Sequence, residues 1–270
     1  MQYSTFAAID IGSYDVILEI FEISKKQGIR SVDKICHRME LGKDTYTLGK
    51  IRPEMEEELC RVLADFVRIM EGYRVDDYRA TASSAISEAS NSLYVLGKIH
   101  QLTGLSVTVL SNSEQRFLSY KALAAMEDNF NKIIEKGTAI LDLDGGSFQI
   151  SLFDKDALVT TQNIRMGSLR IRERLAGIQS ETEHYEEMVE ELIWNEVSSF
   201  KKMYLKDRKI ENIMLIGDVF TDSVYQNIEE KTTKIISREN FNTWYEKIIR
   251  QSPMELAVKL GIPLENASLM

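Results

Sequence analysis

Apolar runs of strand length open the chain, at about residues 5–11, 16–23 and 29–38. The pattern changes at Pro53, whose fixed φ and missing N–H suit the first turn of a helix. From there Met55, Leu59, Val62, Leu63, Phe66 and Met70 form a stripe at helical spacing, and Glu54, Glu56, Glu57 and Glu58 load its N-terminal turn. A β-type run follows at Tyr78 to Ala82, then a helical stretch at about 86–102 that Gly104 ends. Val107 to Leu110 reads as a strand, and Ser113 as the cap of a helix running to about Asp128.

The second half restarts this order. Strands are expected at about 138–143, 148–154 and 157–164, followed by a long helix at about 182–206 carrying Tyr185, Met188, Val189, Leu192, Val197 and Phe200. A strand at Ile213 to Ile216 ends on Gly217. Three antiparallel-type strands and then helix–strand alternation, given twice, is the pattern of a duplicated α/β domain. The polar segment Glu127 to Gly137 is the natural boundary, giving domains at 1–126 and 127–270.

Two short segments repeat each other at the hairpins of these halves. Ile9-Asp10-Ile11-Gly12-Ser13 is matched by Leu141-Asp142-Leu143-Asp144-Gly145-Gly146-Ser147. Each drops from a strand through Asp into a Gly/Ser turn and rises into a second strand. Such a turn lets backbone N–H groups approach an anion closely. One Asp-x-Gly turn alone is an ordinary hairpin; the matched pair suggests two similar domains closing on one phosphate chain.

Composition narrows the partners. A net charge of −9 points away from nucleic acid, so a polyanionic ligand requires locally concentrated positive charge. Arg165, Arg170, Arg172 and Arg174, and the run Lys201, Lys202, Lys206, Arg208 and Lys209, are either that or a solvated face. Cys36 and Cys60 show no paired spacing, and His37, His100 and His184 stand apart from one another. These features read as a reduced, cytoplasmic chain without a protein-built zinc site. No stretch has the roughly 20 apolar residues needed to span a bilayer, and none resembles a signal peptide.

The blocks around the two turns resemble those of the exopolyphosphatase and guanosine-pentaphosphate phosphohydrolase family, a branch of the actin-like phosphotransferase superfamily. The family's first phosphate loop, D-(I/L)-G-S-N-S, is similar to Asp10-Ile11-Gly12-Ser13-Tyr14-Asp15. Its A-T-S-A block resembles Ala80-Thr81-Ala82-Ser83 onward, and its S-G-x-E-E-A segment resembles Ser111-Asn112-Ser113-Glu114-Gln115-Arg116. Its second loop, D-I-G-G-G-S-T-E, resembles Asp142-Leu143-Asp144-Gly145-Gly146-Ser147-Phe148-Gln149, and Arg165-Met166-Gly167-Ser168 resembles the turn that follows. The resemblance implies two RNase-H-like (actin-like ATPase) α/β domains with mixed sheets facing a central cleft. It implies phosphate binding by Asp10, Gly12, Ser13, Asp142, Gly145, Gly146 and Ser147, with polyphosphate or a guanosine polyphosphate nucleotide as ligand and Mg²⁺ as cofactor. It also implies that the second domain stops short of the family's last strand, because the family continues beyond the region of Gly261-Ile262-Pro263 and the text ends at Met270.

The departures from the family pattern fall on the chemistry. The glutamate that positions the attacking water is replaced by Gln115, with Glu114 beside it, and the second-loop glutamate is replaced by Gln149. An amide cannot accept a proton as a carboxylate does, so general-base assistance, typically 10²–10⁴-fold, is lost at those positions. The family arginine of the A-T-S-A-x-R block aligns with Ser87. Asp15 and Asp144 place negative charge in the two phosphate loops, and the family's G-S-G-T turn is replaced by Asp218-Val219-Phe220-Thr221. These aspartates act either as turn caps or, with Asp10 and Asp142, as oxygen ligands to Mg²⁺. Two functions therefore stand side by side: a magnesium-dependent phosphoanhydride hydrolase, and a binding or regulatory relative that has lost hydrolytic residues. A sugar or acetate kinase of the superfamily fits the chain length and block order less well.

Overall fold

The computed structural model describes residues 3–127, 129–179, 184–217, 237–260 and 264–267, and the chain divides into two compact units, Met1–Glu127 and Asp128–Met270. In the first unit, β1 (Ser4–Ile11) turns back antiparallel into β2 (Asp15–Ser24), which pairs antiparallel with β3 (Gly28–Arg38). β4 (Asp77–Ala82) lies parallel to β1 on its other side, and β5 (Val107–Val109) parallel to β4, giving the order β3-β2-β1-β4-β5. Along β1 and β2 side chains alternate between faces. One face contributes Ala7, Ile9, Ile11, Val16, Leu18 and Ile20 to a single core.

Helix α2 (Pro53–Gly72) covers this sheet with Leu59, Leu63, Phe66 and Met70, the stripe expected from their spacing. Its N-terminus is tied to α1 (Leu41–Leu48), a helix the apolar pattern does not signal. The buried Asp44 carboxylate accepts from the Arg52 backbone N–H (2.9 Å) and from its guanidinium (2.7 Å to Nη2). The helical stretch expected at 86–102 is two helices, α3 (Ser84–Ser87) and α4 (Ser92–Thr103). Asn91 lies between them, its amide bonding both the N–H and the carbonyl of Ile51 (3.0 and 2.8 Å) and fixing the break. Gly104 ends α4 in the left-handed conformation (φ 73°).

The second unit repeats the plan. Short α6 (Phe130–Ile134) occupies the expected boundary segment and leads into β6 (Thr138–Leu143), β7 (Phe148–Asp154) and β8 (Ala157–Ile164). β9 (Asn212–Gly217) runs parallel to β6, and the described order β8-β7-β6-β9 matches the first four strands of the first unit. Helix α7 (Ser168–Gln179) falls where the sequence pattern shows only a basic cluster, and α8 (Tyr185–Tyr204) is the long helix expected there. Further helices cover Arg238–Ile248, Pro253–Leu260 and Leu264–Ala267. Asp218 to Thr221, Gly261 to Pro263 and the last three residues lie outside the described residues. Among the described residues no helix is long and apolar enough to cross a membrane.

Candidate functional site

Both hairpin turns close in the same way. The Gly12 N–H donates to the Asp15 carbonyl (2.9 Å), and at the equivalent positions the Asp144 N–H donates to the Ser147 carbonyl (3.0 Å). In each turn the two central carbonyls are then held by the start of a helix that follows the third strand. In the first turn, the Ser13 carbonyl accepts from the Gly42 N–H (2.8 Å), and the Tyr14 carbonyl from the N–H groups of Met39 and Glu40 (both 3.0 Å). In the second, the Gly145 carbonyl accepts from the Arg170 N–H (3.1 Å) and the Gly146 carbonyl from the Arg170 Nε (2.8 Å). Gly167, just before α7, permits this approach. A Cβ there would lie 2.2 Å from the Asp144 carbonyl oxygen, which no side chain tolerates.

The side chains on the turns differ. Ser13 is buried, and its hydroxyl forms a closed triangle with Tyr46 (2.6 Å) and Ser84 (3.2 Å), which bond each other at 2.9 Å. Tyr14 is buried under the Arg38 guanidinium, 4.1 Å from its ring centroid, and Arg38 also donates to the Tyr14 hydroxyl and to Glu40. Asp10 is exposed near the end of β1, with the Thr81 hydroxyl at a long 3.5 Å. In the second turn the Asp144 carboxylate accepts the Gly145 N–H at 2.6 Å.

The helix carrying the expected base corrects the sequence reading in one respect. Ser111, not Ser113, is the N-cap of α5 (Asn112–Met126). Its hydroxyl accepts the Glu114 N–H, and the Glu114 carboxylate reaches back to the Ser111 N–H (2.9 Å) and hydroxyl (2.8 Å). This capping box satisfies helix-end donors reciprocally, and Ser113 is left to accept from Arg116 (3.0 Å). The Ser111 backbone N–H, and then its hydroxyl, hold the Glu114 carboxyl below its ordinary value, with Arg79 adding to the effect. Glu114 is therefore a capping group and a weakened base. Gln115 is half-buried in the same turn, and Ser87 is exposed at the end of α3.

On the second sheet, strand register sets Asp142, Gln149 and Asn163 in one cross-strand row, so they share a face. Gln149 is buried, and neither its Oε1 nor the Asn163 Oδ1 has a hydrogen-bond partner. Buried acceptors left unpaired are uncommon and point to a missing donor or ion. Among the described residues no group of three His, Cys, Asp or Glu could hold a metal. The basic residues divide: Arg170 holds the second turn, Arg172 is buried against Glu173 (3.0 Å), and the lysines and arginine of 201–209 are exposed. Tyr46, Ser84 and Arg38 had no signal in the sequence, because only folding brings them to the first turn.

Two α/β units, each with an antiparallel three-strand start, a parallel fourth strand and a hairpin turn held against a helix, define the actin-like class. The model of the Ppx/GppA phosphatase family matches residues 19–260, and the chain belongs to that family. It is 22% identical over 238 residues to a bifunctional 3-dehydroquinate synthase/phosphatase of Fusobacterium nucleatum, covering 83% of this chain and 34% of that protein. It is 25% identical over 144 residues to exopolyphosphatase 1 of Mycobacterium leprae, covering 53% of this chain and 41% of that one. The chain thus spans well under half the length of these curated relatives. Its fold is similar to the crystal structures of an Aquifex aeolicus Ppx/GppA family member and of an exopolyphosphatase from Cytophaga hutchinsonii. Each has a TM-score of 0.73 at 20% identity; the first covers 99% of this chain and the second 98%, and each match covers 86% of the solved chain.

Proposed function

We propose that this chain binds the terminal phosphates of a phosphoanhydride, polyphosphate or a guanosine polyphosphate nucleotide, and that its capacity to hydrolyse them is strongly reduced. The observation that carries this reading is the capping box of α5. The position of the family's water-activating glutamate is an amide, Gln115, and the neighbouring carboxylate, Glu114, is committed to Ser111. A water beside Gln115 can be hydrogen-bonded but cannot lose its proton to it. Gln149 lacks the second carboxylate, and Ser87 lacks a guanidinium for bidentate phosphate contact.

Binding is supported by the two turns, whose carbonyls are drawn back against helix starts. Mg²⁺ fits the row Asp142, Gln149 and Asn163, since a carboxylate and two unpaired amide oxygens are hard donors of the kind it takes. When bound it would neutralise phosphate charge. The chain's own residues then orient the anion through turn N–H groups.

The test is phosphate release from long-chain polyphosphate and from guanosine pentaphosphate with Mg²⁺, run beside equilibrium binding of both. Binding with turnover far below the ordinary enzymatic range, about 1–10³ s⁻¹, supports the reading. Turnover within that range overturns it and assigns the chain to the hydrolases.

A further inference from the structure

Helix α8 turns Tyr185, Val189 and Phe200 into the second unit and leaves its opposite side to solvent. On that side Glu187, Glu191, Trp194, Ser198 and Lys201 recur at alternate steps of four and three residues. They form one line along a helix about 30 Å long. Trp194 stands at the middle of the line, 57% exposed, with the Lys201 ammonium 5.2 Å from its ring centroid. Tryptophan is mostly buried in single chains and enriched where proteins meet. The charges along α8 are sorted. Glu186, Glu187, Glu190 and Glu191 occupy its first two turns, and Lys201 and Lys202 its last. The helix dipole favours that order, but only within the first and last turn. Glu190 and Glu191 lie beyond the first turn and repel Glu186 and Glu187, four residues away. Glu187 pairs with His184 (3.0 Å), whereas Glu190, Glu191, Lys201 and Lys202 have no ion pair among the described residues.

We infer that the exposed side of α8 is a docking surface for a second copy of this chain, whose own α8 lies antiparallel across it. Antiparallel alignment sets the acidic half of each helix against the basic half of the other. Parallel alignment would oppose like charges. Centred between Trp194 and Ser198, the pairing brings Glu191 level with Lys201 of the second copy. It also lays the Trp194 ring over Ser198 of that copy, a side chain small enough to receive it. Two-fold symmetry makes each contact twice. A net charge of −9 drives copies of this chain apart in general. Association therefore needs a face on which charges cancel locally, and α8 supplies one. A uniformly basic partner would meet Lys201 and Lys202 as well as the glutamates, so the sorted order favours the second copy. The contact is one helix wide, which makes it reversible and sensitive to salt.

Sedimentation velocity over a concentration series, at low and high salt, tests this on the full chain. At low salt the wild type should pass from monomer to dimer as concentration rises, and high salt should shift it back. Glu190→Lys with Glu191→Lys should weaken the dimer at least about tenfold, because like charges then face each other. Lys201→Glu with Lys202→Glu should do the same. Mixing the two double variants should restore association, since a largely basic line then meets a largely acidic one. Trp194→Ala leaves the charges alone and should weaken the dimer about tenfold. All these positions are exposed, and circular dichroism checks that each variant folds; Trp194→Ala serves if a charge variant does not. A wild type that stays monomeric throughout the low-salt series overturns the inference. So does a dimer that the charge variants and Trp194→Ala leave intact, which would put the contact on another face. Loss of the dimer in both double variants without recovery on mixing overturns the antiparallel pairing.

Discussion

Replacing Asp144 should strengthen anion binding, and two variants separate why. In the wild type its carboxylate accepts the Gly145 N–H at 2.6 Å, so it both repels an incoming phosphate and occupies a donor. Asp144→Asn keeps an oxygen acceptor and removes the charge. At roughly 4 Å a unit charge pair costs about 1 kcal/mol in water and about 4 kcal/mol near a protein surface. Asp144 is only half-buried, so the lower part of that range applies, and Asp144→Asn should tighten pyrophosphate by about 1–2 kcal/mol, or roughly 5- to 30-fold. Asp144→Gly also frees the Gly145 N–H. A hydrogen bond to a charged acceptor contributes about 1.5–3 kcal/mol, and the added glycine freedom costs about 0.5–1 kcal/mol. Asp144→Gly should therefore bind more tightly than Asp144→Asn, by about a further 1 kcal/mol or more. Isothermal titration with pyrophosphate at low and high salt checks both parts, because screening should erode the Asn gain and spare most of the extra Gly gain. Equal affinities for wild type and both variants would refute the occupied-donor account of this turn.

On the proposed function, placing a carboxylate at position 115 alone, Gln115→Glu, should raise phosphate release only slightly, because Gln149 and Ser87 are left unchanged; a rise approaching the 10²–10⁴-fold range of a general base would show one residue to be sufficient. Gly167→Ala should destabilise the protein by on the order of 1–3 kcal/mol, read by thermal or urea melting, since its Cβ would meet the Asp144 carbonyl at 2.2 Å and backbone cannot step aside cheaply. Asp44→Ala should cost roughly 2–3 kcal/mol in the same assay, because it strips a buried acceptor from the Arg52 N–H and guanidinium at the start of α2. The capping box of α5 should be acid-labile. The folded Glu114 carboxyl lies below its ordinary 4.5, so its contribution is complete above that value and is lost as pH falls through the lower folded one. Hydrogen exchange at the first turn of α5 should speed up over that window in the wild type and show no such step in Glu114→Gln.

Strands β1, β2, β3, β6, β7 and β8 were legible in the sequence because each is an uninterrupted run with a side chain on alternating faces, which local pattern alone encodes. The α2 stripe was legible for the same reason at helical period. The two glycine turns, and the amides Gln115 and Gln149 at positions where the family resemblance leads one to expect carboxylates, were equally open to reading, since they are matters of residue identity and order. Helix α1 was not legible, because bonds to a distant turn set it; α7 buries Leu169, Ile171 and Leu175, but the arginines set among them hid that stripe behind a basic cluster. Ser111 and Ser113 both precede Glu-containing turns, and only backbone geometry decides which hydroxyl meets the Glu114 N–H. Sequence spacing marked the two glycine turns, but tertiary structure alone decided which of their polar groups are bonded and by what. That depends on where Arg170 and Asp144 place their polar atoms, 24 residues from the Gly146 carbonyl and one residue from the Gly145 N–H. A hydrogen bond responds to distance and direction in space, and chain separation encodes neither.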